Sequence, residues 1–201
     1  MSKTTYDSVI YAGIFLTDET KETSGISLEK DSPLLQLLGN NVDDLKLHAD
    51  HVTLAFRPTP SYLDVFRKWL GTEVVLEPIR IVADSKAAVA QVKLNTSLDP
   101  YLTHDFFMGQ HMHITLATKK DVSPVYSNEL LWRYNSLNHP DLAEEKEKWD
   151  SIQVIEAGDI TTVADRDMLK GVLGVHTSTL NTVTNKEVLL PGTIETVGNI
   201  S

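Results

Sequence analysis

The chain has 201 residues, 41% of them hydrophobic, enough to bury about 70% of the surface that an unfolded chain of this length exposes. A net charge of −10 and a pI near 5.1 disfavour a protein that tracks long duplex nucleic acid, because nonspecific affinity for a polyanion comes from Lys and Arg. With no cysteine the chain has no disulfide, zinc thiolate site or cysteine nucleophile, and no apolar run approaches the roughly 18 residues of a membrane span. One cytoplasmic domain over residues 1–201 is expected, with its core at roughly 9–177 and an extension or strand in 178–201.

In chain order, Ile10 to Thr17 reads as a strand and the polar stretch 17–31 as a loop long enough for a lid. Ser32-Pro33 followed by Leu34, Leu35, Leu37 and Leu38 predicts a short helix that stops at Gly39-Asn40. A strand holds His51, and Pro60-Ser61 opens a helix with Tyr62, Leu63, Phe66, Trp69 and Leu70 at helical spacing, stopped by Gly71. That aromatic stripe reads as core. Residues 73–84 and 87–95 form a hairpin about Asp84-Ser85-Lys86, and residues 111–118 form another strand. Helices are expected over 127–134 and 140–149, strands over 152–155 and 169–175, and a possible strand over 188–190.

Two of these strands carry one pattern: His51-Val52-Thr53-Leu54-Ala55 and His113-Ile114-Thr115-Leu116-Ala117. Seven His and twenty Thr give about 0.7 chance His-x-Thr matches, but requiring Leu-Ala to follow lowers the expectation to roughly 0.005. On a strand the alternation puts His51 and Thr53, and likewise His113 and Thr115, on one face, with apolar residues on the other. Two such strands side by side frame a small anion. One neutral imidazole can accept a proton from an attacking oxygen, the other can donate one to a leaving oxygen, and the hydroxyls can hold non-bridging oxygens.

At these residues the chain resembles the 2H phosphoesterase superfamily. The likeness is to the eukaryotic branch that holds the cyclic phosphodiesterase domain of fungal tRNA ligases and the myelin 2′,3′-cyclic-nucleotide 3′-phosphodiesterase. Ile10 to Thr17 is similar to the first strand of that branch, Val122 to Val125 with Ser127 to Leu131 to the segment after its second motif, and Ile160 to His176 to its closing hairpin. The resemblance implies a bilobal α/β (α+β) fold, with two antiparallel sheets around a central cleft and helices outside. It implies metal-free hydrolysis of nucleoside 2′,3′-cyclic phosphates, on nucleotides or RNA ends, to 2′-phosphates. His51 and His113 take the catalytic positions and Thr53 and Thr115 the phosphate-binding ones. Bases stack on apolar side chains at the cleft rim in this family, and Tyr11 and Phe56 are the nearest candidates here.

The chain departs from these relatives in lacking a Gly-x-x-x-x-Gly-Lys-Ser/Thr loop and a prenylation cysteine, so a stand-alone enzyme or a separate domain is expected, with a small nucleotide or short RNA end as its partner and no cofactor. His111 shares the face of His113, where it contacts substrate, orients a catalytic group or serves as surface polarity. His48 and His51 face opposite ways on a regular strand, and no His-Glu-x-x-His helix completes a metal set, so no metal is expected. His104, His139 and His176 read as ordinary loop or strand-end residues. Arg57, Lys119 and Lys120 follow the motifs, where they either soften the acidic field or are solvated strand ends. The catalytic quartet is compatible with a second substrate class, 2′-5′ oligoadenylates or cyclic oligonucleotide signals, and a noncatalytic nucleotide- or RNA-end-binding module is the reading from outside enzymology.

Overall fold

The structure is a computed structural model and describes residues 4–23, 38, 42–104, 111–137, 152–156, 169–178, 182–184 and 189–190. The strands are β1 (Thr4–Thr5), β2 (Val9–Leu16), β3 (Leu45–Leu47), β4 (His51–Phe56), β5 (Glu73–Ala83), β6 (Ala87–Leu94), β7 (His113–Lys119), β8 (Gln153–Glu156), β9 (Leu169–Thr177), β10 (Thr182–Val183) and β11 (Leu189–Leu190). The helices are α1 (Asp18–Thr23), α2 (Pro60–Phe66) and α3 (Tyr126–Leu137). Of the predicted elements, the 140–149 helix and most of the 32–39 helix lie outside the described residues, as does His139.

The mixed α/β character matches expectation; where two antiparallel sheets around a cleft were expected, nine of the described strands lie in one sheet and β1 pairs in parallel with β11 apart from it. Neighbours pair in the order β9, β2, β4, β7, β6, β5, all antiparallel, and β5 returns to β9, closing a six-stranded barrel. Closure depends on the length of β5. Its eleven residues serve two partners along one edge, Glu73–Leu76 pairing with β9 and Arg80–Ala83 with β8. A closed barrel leaves these six strands no open edge over the paired region.

Register fixes which side chains enter the barrel. Leu173, Ile14, Val52, Ile114 and Ala90 are successive cross-strand partners, and all five are buried in one apolar cluster. Leu54, Leu116 and Leu76 join it from the same faces. The residues between them therefore point outward. Phe15 is paired with His51, and Val89 with Thr115; Gly13 is paired with Thr53, and Gln91 with His113. Both histidine motifs thus lie on the outside of the barrel wall.

Two helices complete the packing around that wall. Pro60 begins α2, preset for a first helical turn, and the hydroxyl of Thr59 accepts from the Tyr62 N–H. Leu63 and Phe66 of α2 are wholly buried in the main cluster, and the chain turns at Gly71 with φ of +77°. On the outer face, Leu130 and Leu131 of α3 pack on Val82, Ala87 and Val89. Asp84 at the hairpin turn pins α3: its buried carboxylate accepts from the Tyr126 hydroxyl at 2.6 Å and from the N–H groups of Lys86 and Ala87 at 2.8 and 3.0 Å.

Candidate active site

β4 and β7 are antiparallel neighbours with Val52 opposite Ile114. Those two residues are the centres of the two His-x-Thr triplets, so a local twofold axis between them exchanges His51 with His113 and Thr53 with Thr115. By this register His51 lies across from Thr115 and Thr53 across from His113, and the two imidazoles form a diagonal pair with Cα atoms roughly 7–8 Å apart. All four residues line one cleft of about 630 Å³ between the barrel wall and α3. Gly13 permits the close approach of β2 beside Thr53, since a Cβ there would stand 2.4 Å from the Val52 carbonyl oxygen.

The stretch before His51 is not a regular strand. β3 and β4 both pair along β7, and between them His48 and Ala49 donate to the Leu116 and Thr115 carbonyls at 3.0 and 2.8 Å. Ala49 has φ of +50°, a left-handed residue at which the chain is re-aimed as in a bulge next to a site. The alternation that would set His48 opposite His51 is thereby broken, and both histidines line the cleft. His48 Nε2 lies 3.1 Å from the Thr118 hydroxyl, and burial pushes its ionisation below the ordinary value.

The two motif histidines have different supports. Nδ1–H of His113 donates to the backbone carbonyl of His111 at 2.7 Å; because a carbonyl can only accept, the neutral ring carries its proton on Nδ1 and leaves Nε2 bare. Burial pushes the ionisation of His113 below 6.5, the His111 carbonyl opposes this, and the nearby His51 and His111 rings depress it further. His51 instead donates Nδ1–H to the Asp50 carboxylate at 2.7 Å, and that bond is the main reason Asp50 is held below the usual carboxylate range.

The hydroxyls are held as well. Thr115 Oγ1 is 2.9 Å from Oγ of Ser127, a wholly buried serine in the first turn of α3. His111 lines the cleft and its Nδ1 lies 3.3 Å from the Gln91 amide nitrogen, so its carbonyl and its ring both serve the wall beside His113.

Of the two aromatic residues expected at the rim, Phe56 is there, 65% exposed and lining the cleft. Tyr11 is placed differently. Its ring stacks on His51 at 4.7 Å and on His176 at 4.9 Å, with interplanar angles of 20° and 17°, so it backs the His51 imidazole and is not among the residues that line the cleft. Burial and then Asp50 push its phenol up to about 12. His176, expected to be an ordinary strand residue, is the outer member of this column.

Sequence reasoning did not single out Asp50, Ser127, Val125 or Trp132. Val125 and Trp132 are 71% and 56% exposed and line the cleft across from the motif strands. Their signal was present but weak: Trp132 is a large aromatic on α3 directly after Leu131, and both line the cleft. Asp50 could have been suspected from its adjacency to a motif histidine.

Among the described residues, no group of three or more His, Cys, Asp or Glu side chains is arranged to hold a metal ion, and no helix is long and apolar enough to cross a membrane. No family model matches the chain, and no curated protein matches it. Among solved structures it is similar to the crystal structure of a fungal RNA kinase, at 15% identity and a TM-score of 0.47, over 82% of this chain and 45% of that one. The chain thus spans less than half the length of that neighbour.

Proposed function

We propose that the protein is a two-histidine phosphodiesterase that hydrolyses nucleoside 2′,3′-cyclic phosphates to 2′-phosphates, on nucleotides or RNA ends. The observation that carries this is the antiparallel pairing of β4 with β7 about Val52 and Ile114, which sets both imidazoles and both hydroxyls on one wall of a single cleft. A phosphoryl group seated there has an imidazole on each side and Thr53 and Thr115 as donors to its non-bridging oxygens.

The different supports favour one assignment of the roles. His113, biased to its neutral form with Nε2 bare, is the base: it takes a proton from water as the water oxygen bonds to phosphorus. The P–O3′ bond breaks, and His51, in the acid role with its Nδ1 held by the Asp50 carboxylate, gives its Nε2 proton to O3′. The product is a 2′-phosphate with a free 3′-hydroxyl, and exchange with solvent resets both rings. Each proton transfer typically contributes 10²- to 10⁴-fold. A positive charge on His51 disfavours a second one on His113, which favours the one-acid, one-base pairing that the reaction needs. Phe56 on one rim and Val125 with Trp132 on the other form an apolar slot for the base.

The test is turnover of 2′,3′-cyclic AMP in EDTA with chromatographic identification of the product. The parent is expected to form 2′-AMP, and His51→Ala and His113→Ala each to lose at least about 10²-fold. Formation of 3′-AMP would reverse the regiochemistry. No conversion, with cleavage of 2′-5′ oligoadenylate or cyclic oligonucleotides, would change the substrate class; inactivity on all of them would favour a binding module.

A further inference from the structure

Next to the cleft the surface continues into two further hollows. One of about 440 Å³ is bounded by Tyr6 to Ile10 on one side and Phe56 to Pro58 on the other; the second, of about 280 Å³, lies between Arg57-Pro58 and Tyr62, Tyr101 and His104. Phe56 is shared by the cleft and the first hollow, and Arg57 and Pro58 by both hollows. Arg57 is thus a cation that borders both hollows, next to the residue that the first hollow shares with the cleft.

Three features make Arg57 unusual. Its φ is +47°, a left-handed conformation that costs an L side chain and that glycine adopts freely. Its backbone is fixed there by an N–H donated to the Ile10 carbonyl at 2.8 Å, while its guanidinium folds back over the Phe56 ring, 5.5 Å from the centroid. It is exposed, and among the described residues no carboxylate pairs with it, in a chain of net charge −10. A strained backbone that presents an unpaired cation at a binding cleft is a pattern of function, not of stability.

Resting on the cyclic phosphodiesterase reading, we infer that Arg57 binds the phosphodiester on the 5′ side of the terminal nucleotide, so that the substrate is the 3′ end of an RNA strand and not a free mononucleotide. With the cyclic phosphate between the motif strands and its base on Phe56, the chain of the substrate leaves the cleft toward Arg57. Arg57 is four residues beyond Thr53, roughly 13 Å at strand rise, about two nucleotide spacings from the motif, and its guanidinium lies over Phe56. The guanidinium fork matches two phosphate oxygens. The exposed Tyr101 beyond it offers a ring to the preceding base.

The test compares kcat/KM for 2′,3′-cyclic AMP, its 5′-phosphorylated form and the dinucleotide ApA ending in a 2′,3′-cyclic phosphate, in the parent, Arg57→Gly and Arg57→Asn, both replacements being compatible with positive φ. The parent is expected to favour the dinucleotide over cyclic AMP by roughly tenfold, the scale of one charge-assisted contact, and both variants to bring that ratio near one. In parallel, binding of a 5′-fluorescein ApApA 2′-phosphate is followed by anisotropy at several salt concentrations; the slope of log Kd against log salt should be shallower by about 0.7 in both variants. A parent ratio near one, or a ratio and slope unchanged by the variants, overturns the inference. A gain confined to the 5′-phosphorylated mononucleotide overturns it in favour of a nucleotide bisphosphate. Inactivity toward all three substrates would defeat the catalytic reading alone, and the salt slope would still decide the role of Arg57.

Discussion

The hydrogen bond between Thr115 and Ser127 gives the sharpest test of how the cleft is held together. It joins a hydroxyl on the cleft wall to a wholly buried one, at 2.9 Å. Ser127→Ala removes one neutral hydrogen bond, a loss of about 1 kcal/mol in stability, because Thr115 still faces the cleft and finds water. Thr115→Val is isosteric but leaves the buried Ser127 hydroxyl without this partner, which costs about 2 kcal/mol. Replacing both removes the unsatisfied group, so the double variant should be more stable than Thr115→Val alone, by about 1 kcal/mol. Urea denaturation of the four proteins at pH 7 measures this directly.

The rates should show the same coupling in another form. If Ser127 acts by fixing the Thr115 hydroxyl toward phosphate, Ser127→Ala lowers kcat/KM by about fivefold, equivalent to about 1 kcal/mol, and Thr115→Val lowers it by roughly 10- to 100-fold. In the Thr115→Val background, Ser127→Ala should then change nothing. Equal slowing by Ser127→Ala in both backgrounds, or a double variant less stable than either single one, would refute the positioning role.

Three other measurements bear on the site and its scaffold. Because burial holds His113 below 6.5, the acid limb of kcat/KM should fall below pH 6.5, and folding stability should decline as pH drops under about 6.5, where the unfolded chain binds the proton more tightly; an acid limb above 6.5 would remove His113 as the buried base. Tyr126→Phe deletes the 2.6 Å bond to the Asp84 carboxylate and should cost about 2 kcal/mol in chemical denaturation, the scale of a hydrogen bond to a charged group; an unchanged midpoint would mean that α3 is not held by this contact. Gly13→Ala places a Cβ 2.4 Å from the Val52 carbonyl oxygen and should destabilise by more than about 2 kcal/mol, with activity falling too, since Val52 separates His51 from Thr53; parent-like stability would contradict the close pairing of β2 with β4.

Where local pattern alone decides, the chain was legible. The period-2 alternation of 51–56 and 113–119 gives strands with the expected polar and apolar faces, the Asp84-Ser85-Lys86 turn joins β5 to β6, and the helix opening at Pro60 forms where its caps require. What the pattern could not reveal depends on long-range pairing. Nothing near residue 73 announces that Glu73–Leu76 will pair with Leu169–Val172 and close a barrel. Nor does the alternation around His48 disclose the left-handed turn at Ala49 that brings His48 and His51 to the same cleft. Tyr11 stands beside the motif strands, but its closest ring partners come from β4 and β9, and only the register of three strands makes it a backing for His51 and not a rim platform.

The two His-x-Thr triplets also explain how a repeated motif yields unlike residues. Pairing about Val52 and Ile114 makes the triplets equivalent in position, and a symmetric pair of imidazoles would have no reason to differ in protonation. The difference enters with the residues just before each histidine. Asp50, just after the turn at Ala49, sets a carboxylate against Nδ1 of His51 at 2.7 Å. In the other copy His111 offers only a backbone carbonyl, a dipole in place of a charge, and burial lowers the ionisation of the ring it supports. On the proposed reading, a carboxylate beside one imidazole and desolvation of the other suit one acid and one base. On this account an Asp50→Asn protein keeps both histidines in place but loses much of the distinction between them, and the loss should be read in the shape of its pH-rate profile more than in its stability.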